Sequence, residues 1–265
     1  MPDVKGIIDR HYSVRLGVSL ADVPPGQVAV TACARRTFAE PNNDSVRPLW
    51  IFRLGDRAAI SVHPAASGEV ARLAWRLSPE EVMEDGFCDQ AAAVLRAALS
   101  ELPPGCEECE TTLYHPGGAS PITTDAEIRP LVPADSRRWA GPHVNVWAPQ
   151  HPSAERGEAF GVSVGDKVIA WVITQESASA ETAHLIVSDG IETAEGYRRQ
   201  GYGKALLAHW TCEMQAKCRV CLHDTAADNA ASAALAQSVG YVGYARSRFI
   251  IYQRPREDGA ANRPA

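Results

Sequence analysis

The chain has 265 residues, of which 45% are hydrophobic and 22% charged, with a net charge of −6. That is the composition of an ordinary globular protein with room for one large domain or two modest ones. It argues against a general nucleic-acid surface, and no apolar run reaches the roughly 18 residues that span a bilayer.

The N-terminal stretch MPDVKGIIDRHYSV carries Asp3 and Asp9 where an export signal needs a basic start and an apolar run, so the expected address is cytoplasmic. Seven cysteines, an odd number, favour reduced thiols over a disulfide framework. Cys106/Cys109 and Cys218/Cys221 have CxxC spacing, but 109 residues separate the pairs. Residues 218 to 222 read as a strand, on which positions i and i+3 face opposite ways. The cysteines therefore read as small apolar filler, and no metal is expected.

In chain order, PLWIFRLGDRAAISVHP reads as a hairpin around Gly55-Asp56. SGEVARLAWRL and PEEVMEDGFCDQAAAVLRAALSEL follow as helices, the second with Phe87, Ala91, Val94, Leu95 and Leu99 on one stripe. Nine of the 18 prolines lie between Pro103 and Pro152, which marks a loop-rich boundary near 115–125. The expected domains are 1–120 and 121–253, followed by a mobile tail, 254–265.

The second half opens on another hairpin, FGVSVGDKVIAWVITQ, around Gly165-Asp166; its VGDKVIA echoes LGDRAAI 110 residues earlier and hints at duplication. A strand is expected around Gly190–Ala194 and a helix from near Gly203, with Leu207, Trp210, Met214 and Cys218 on one face. CRVCL reads as the next strand. DNAASAALAQSVGY reads as a short helix, with Asp228 or Asn229 as N-cap and Gly240 as its stop. YARSRFIIY closes the chain as a strand.

Between strand and helix lies RRQGYG, residues 198–203. A helix start offers unpaired N–H groups and partial positive charge, which suit phosphate. Gly201 and Gly203 clear the approach, and Arg198, Arg199 and Lys204 add charge. A Rossmann fingerprint would need a third small residue, but position 206 is Leu. A P-loop would need a Lys-Ser/Thr pair, which is absent. A pyrophosphate cradle and a plain glycine turn with incidental basic residues both remain open at this point.

A second motif follows 28 residues after Gly201: Asn229, Ser232, Leu235, Gly240 and Tyr241, in the pattern Asn-x-x-Ser-x-x-Leu-x-x-x-x-Gly-Tyr. With Arg/Gln-x-x-Gly-x-Gly/Ala upstream, it resembles the GNAT acyltransferase superfamily over about residues 125–253. The resemblance implies an α/β (α+β) fold: a mixed, mainly antiparallel sheet flanked by helices. Before it stands a second α+β domain, expected to be a degenerate GNAT-like half.

It also implies an acyl-CoA co-substrate. The pyrophosphate would lie on the amides of Arg199, Gln200, Gly201, Tyr202, Gly203 and Lys204, beside Arg198. The pantetheine arm would run along Ile191, Glu192 and Thr193, and Asn229 and Ser232 would meet it. Transfer to an amine needs a neutral amine, an oxyanion donor and a way to stabilise the leaving thiolate. Glu192, Asp224 (with His223 beside it) and Asp189, placed just upstream of its strand, are the candidate catalytic carboxylates; a solvated or turn-forming role is the alternative for each. The tyrosine common after the second-motif Leu is Ala236 here, and Tyr202, Tyr241 and Tyr244 are near only in sequence.

The resulting expectation is acetyl transfer from acetyl-CoA to the amine of a small molecule by direct attack. An acyl carrier protein as donor, or a catalytically silent CoA-binding protein, are the alternatives. No membrane or nucleic-acid partner is expected, and a homodimer stands as an option.

Overall fold

The computed structural model describes residues 3–38, 45–99, 107–116, 127–141, 152–176 and 184–253. The elements are α1 (Val4–Leu16), β1 (Val28–Ala32), β2 (Ser45–Leu54), β3 (Arg57–Val62), α2 (Ser67–Ala74), α3 (Asp85–Ala98), β4 (Glu107–Pro116) and β5 (Ile128–Pro130). Then come α4 (Pro152–Glu155), β6 (Phe160–Val164), β7 (Lys167–Glu176), β8 (Ile186–Thr193), α5 (Tyr202–Ala216), β9 (Val220–Ala226), α6 (Ala230–Ser238) and β10 (Tyr241–Gln253). No helix among the described residues is long and apolar enough to cross a membrane.

Two compact units emerge: residues 13–110 with 247–265, and residues 1–12 with 111–246. The division falls at 110 rather than 120, because β4 from Thr111 onward pairs antiparallel with β9, from Thr111 opposite Ala226 to Tyr114 opposite His223. Residues 1–12 join the C-terminal unit, where the Tyr244 hydroxyl donates to Asp9. The tail 254–265 lies outside the described residues.

In the N-terminal unit, β2 and β3 form the expected hairpin, with Leu54 opposite Arg57. Gly55, the first turn residue, has φ +60°, a value that glycine adopts without Cβ strain. β1 lies parallel to β3 on its other side. Leu49, Ile51, Ile60 and Val62 of the sheet pack against Val70 of α2 and Phe87, Ala91 and Leu95 of α3. The long helix expected over 79–102 is broken. Glu81–Met83 is a separate 3-10 turn, and Glu84 is extended, at φ −81° and ψ 154°. Ser78 and Glu81 start that turn with a reciprocal capping box: the Glu81 carboxylate accepts the Ser78 amide at 2.7 Å, and the Ser78 hydroxyl accepts the Glu81 amide at 3.2 Å.

In the C-terminal unit the strands run in the order β4-β9-β8-β7-β6-β5. β8 and β9 are parallel; the other pairs in this run are antiparallel. This is the mixed, mainly antiparallel sheet anticipated. Helix α5 buries Leu206, Leu207, Trp210 and Met214 against Val162, Ile169, Val172 and Val187. The Trp210 indole N–H donates to Thr174 Oγ1 at 2.8 Å, and that hydroxyl donates to the Glu158 carbonyl at 2.9 Å. Cys218 departs from the expected strand and stripe. It follows the helix in a turn at φ +59°, exposed, and β9 begins only at Val220.

Candidate active site

Strands β8 and β9 pair only from Ile186–Ser188 to Val220–Leu222. Beyond that point Asp189–Thr193 bond to β7, and His223–Tyr114 through Ala226–Thr111 pair β9 with β4. Each strand turns to its outer neighbour, so the two inner edges open as a V. A cleft of about 390 Å3 occupies the gap, with Asp189 to Glu192 on one wall, His223 to Ala226 on the other, and Asn229 and Ser232 of α6 closing it. Trp171 and Gln175 of β7 complete the lining. Among the described residues no lysine or arginine lines it.

At the end of β8 the chain makes a 3-10 turn, Glu195–Tyr197, and enters α5 through two left-handed residues, Arg199 (φ +62°) and Gly201 (φ +89°). Gly201 tolerates that φ because it lacks a Cβ, and an ideal Cβ there would meet nothing within 4 Å. Arg198 fixes the turn to the sheet by donating from Nε to the Thr193 carbonyl at 3.0 Å. Among the described residues, no backbone–backbone hydrogen bond is donated by the amides of Arg199 through Lys204. That is the arrangement an anion-binding helix start requires.

The sharpest geometry in the cleft is a chain of three side chains. Asp189 sits inside β8, buried, and not upstream of the strand as expected, because the strand begins at Ile186. Its two carboxylate oxygens lie 2.9 and 3.0 Å from His223 Nδ1. The other ring nitrogen of His223, Nε2, lies 2.8 Å from Ser232 Oγ. Burial pushes the imidazole pKa down. The Asp189 hydrogen bond and charge, then the charge of Asp224, outweigh it and leave the pKa above the ordinary histidine value.

Of the other expected carboxylates, Glu192 is half-buried on β8 and Asp224 is exposed on β9, both on the cleft wall. Asn229 is the N-cap of α6, its Oδ1 accepting the Ser232 amide at 3.1 Å. The cap thereby fixes the serine. Sequence reasoning named His223 only as a neighbour of Asp224. The available signal was a histidine inside the run VCLHDTA, where a buried polar ring needs partners on both nitrogens.

The tyrosines near in sequence do not line the cleft. Tyr241 is buried with its hydroxyl 2.8 Å from Thr211 Oγ1, and burial pushes its pKa well up. Tyr244 donates to Asp9. Tyr202 packs its ring against the core of the unit. Ala236 is likewise a core residue. Among the described residues, no group of three His, Cys, Asp or Glu side chains could hold a metal. Cys106 lies outside them.

Residues 128–241 match the acetyltransferase (GNAT) family. No curated protein matches the chain. Among solved structures, a putative GNAT acetyltransferase from Novosphingobium aromaticivorans is 19% identical over 58% of this chain and 70% of its own, with a TM-score of 0.44. A GNAT-family acetyltransferase from Colwellia psychrerythraea is 16% identical over 59% of this chain and 61% of its own, at 0.44. A phosphinothricin acetyltransferase from Sinorhizobium meliloti, solved in complex with AcCoA, is 20% identical over 54% of this chain and 94% of its own, at 0.36.

Proposed function

We propose that this protein is an acyl-CoA-dependent N-acyltransferase that moves an acetyl group from acetyl-CoA to the amine of a small molecule, a reading supported by the match of residues 128–241 to the acetyltransferase (GNAT) family. The observation that carries the reading is the V between β8 and β9, with the amides of the Arg199–Lys204 turn, which donate no backbone–backbone hydrogen bond, at the end of β8.

In this reading the amides of Arg199 to Lys204 hold the pyrophosphate, and the exposed side chains of Arg199 and Lys204 add charge around it. Arg198, tied to Thr193, keeps the turn in register with the strand. The pantetheine arm continues the sheet beside Ile191, Glu192 and Thr193, where β8 has no inner partner. The thioester supplies an activated carbonyl at the mouth of the V.

Glu192 and Asp224 line the cleft that receives the amine. An alkyl amine has a pKa of about 10, so one of these carboxylates must take its proton or pass it to water before attack. Among the described residues no lysine or arginine competes for them on the cleft wall. A cationic acceptor therefore fits better than one bearing a carboxylate.

Calorimetry and thermal shift with acetyl-CoA test the reading, with Gly203→Asp as the control variant. A Cβ at Gly203 meets Thr193 Oγ1 at 3.4 Å, ordinary contact, so the substitution mainly adds negative charge beside the cradle. Stabilisation of the wild type that disappears in the variant is expected. Equal stabilisation of both would place the nucleotide elsewhere.

A further inference from the structure

We infer that Ser232 delivers the proton to the departing CoA thiolate, with His223 behind it as the source of that proton and Asp189 as the residue that positions His223. This rests on the acyl-CoA reading above and assigns the acid step that Ala236 and the remote tyrosines leave open.

The geometry is a continuous line of hydrogen bonds: Asp189 carboxylate to His223 Nδ1 at 2.9 and 3.0 Å, then His223 Nε2 to Ser232 Oγ at 2.8 Å. All three residues line the cleft, but Asp189 and His223 are buried while Ser232 is half-buried, so the serine is the member of the line most open to the cleft. With Nδ1–H held by the carboxylate, Nε2 is the nitrogen that faces the serine. When the ring is protonated, Nε2–H donates to Ser232 Oγ. The serine's own hydrogen is then free to turn into the cleft.

The groups around the ring favour that protonated state. Asp189 faces it from β8, Asp224 adjoins it on β9, and the Tyr114 and Tyr241 rings lie 6.2 and 6.3 Å away on β4 and β10. No cation is among the groups that shift it. A histidine held above its usual pKa by a buried carboxylate carries a transferable proton near neutral pH.

The step balances. The amine nitrogen bonds to the thioester carbonyl carbon, the C–S bond breaks, and its electron pair stays on sulfur. Ser232 Oγ–H gives its proton to that sulfur while His223 Nε2–H gives its proton to Ser232 Oγ. The nitrogen loses one proton to water, and water in the cleft returns one to His223 Nε2 through the Ser232 hydroxyl. Amine and acetyl-CoA become amide and CoA thiol.

The test uses the full chain, acetyl-CoA and benzylamine or water as acceptor, with thiol release read by Ellman's reagent and acetyl-CoA affinity by calorimetry. Ser232→Ala is expected still to bind acetyl-CoA and to lose about a hundred-fold in rate; Ser232→Thr, which keeps a hydroxyl, is expected to recover part of it. The wild-type rate is expected to fall as pH rises through the His223 pKa, and Asp189→Asn is expected to move that limb to lower pH. An unchanged rate in Ser232→Ala, loss of its acetyl-CoA binding, or an unmoved limb in Asp189→Asn would each overturn the relay. So would a wild type that binds acetyl-CoA and releases no thiol. A wild type that does not bind acetyl-CoA would overturn the acyl-CoA reading, and the relay with it.

Discussion

Asn229 Oδ1 accepts the Ser232 amide at 3.1 Å, while the Ser232 hydroxyl lies 2.8 Å from His223. The residue that starts α6 therefore also aims the side chain that meets the cleft. Loss of an N-cap costs about 1 kcal/mol. Asn229→Ala is expected to destabilise by about that amount in urea unfolding and to lower thiol release further than the stability loss explains. Asn229→Asp, which keeps the cap, should restore stability. If it restores activity as well, the cap alone is the role of Asn229.

The Asp189–His223 pair makes stability depend on pH in a defined direction. His223 has a folded-state pKa above its unfolded value of about 6.5. Its contribution is then fully present below about pH 6.5 and is lost as pH rises through the folded-state value. The stability gap between wild type and Asp189→Asn should be widest below about pH 6.5 and narrow as pH rises above it. Denaturant titrations of both proteins on either side of that value check it. A gap that widened with pH would mean the ring is buried neutral.

Gly201 opens α5 at φ +89°. Any residue with a Cβ strains there by about 1–2 kcal/mol. Gly201→Ala is expected to lower stability by about 1 kcal/mol and to weaken acetyl-CoA binding by re-aiming the neighbouring amides. Since the position is open to solvent, no clash confounds the result. Unchanged calorimetric affinity in a folded Gly201→Ala would remove the turn from the binding site.

Local periodicity and turn chemistry made much of this unit legible. Leu207, Trp210 and Met214 recur at helical spacing and are fully buried, Gly201 and Gly240 mark helix ends with positive φ, and Asn229 is one of the two caps expected. What stayed hidden depends on register between distant segments. Asp189 and His223 are 34 residues apart and meet only because Ser188 pairs with Leu222, which sets the next residue of each strand at the fork of the V. Nothing within either strand encodes that pairing. The break at Glu84 and the left-handed Cys218 turn were likewise hidden, because apolar spacing continues across both.

Thr174 joins the core to a loop. Its hydroxyl accepts from the Trp210 indole and donates to the Glu158 carbonyl, all buried. Thr174→Val keeps the shape and leaves both partners without a hydrogen bond, which costs about 1–3 kcal/mol for each unsatisfied group. Thr174→Ser should recover most of the loss. Unchanged stability in Thr174→Val would mean that the two hydrogen bonds contribute nothing to it.

Glu158 shows the opposite pH sign. Its side chain is 4% exposed and meets Arg156 at 3.0 Å, Lys217 at 3.3 Å and Arg219 at 3.4 Å. Burial raises its pKa, but the Arg156 hydrogen bond and the charges of Arg219 and Lys217 outweigh that and hold it below the usual glutamate value. The stabilisation is therefore present above the unfolded value of about pH 4.3 and disappears as pH falls through the folded-state one. Glu158→Gln is expected to cost about 2 kcal/mol at pH 7, as a charged hydrogen-bond partner becomes neutral, with the difference shrinking toward pH 3. It should leave acetyl-CoA affinity unchanged, because Glu158 does not line the cleft. Thermal unfolding of both proteins between pH 3 and 7 decides it: a constant difference would mean that the glutamate is held by packing and not by its charge.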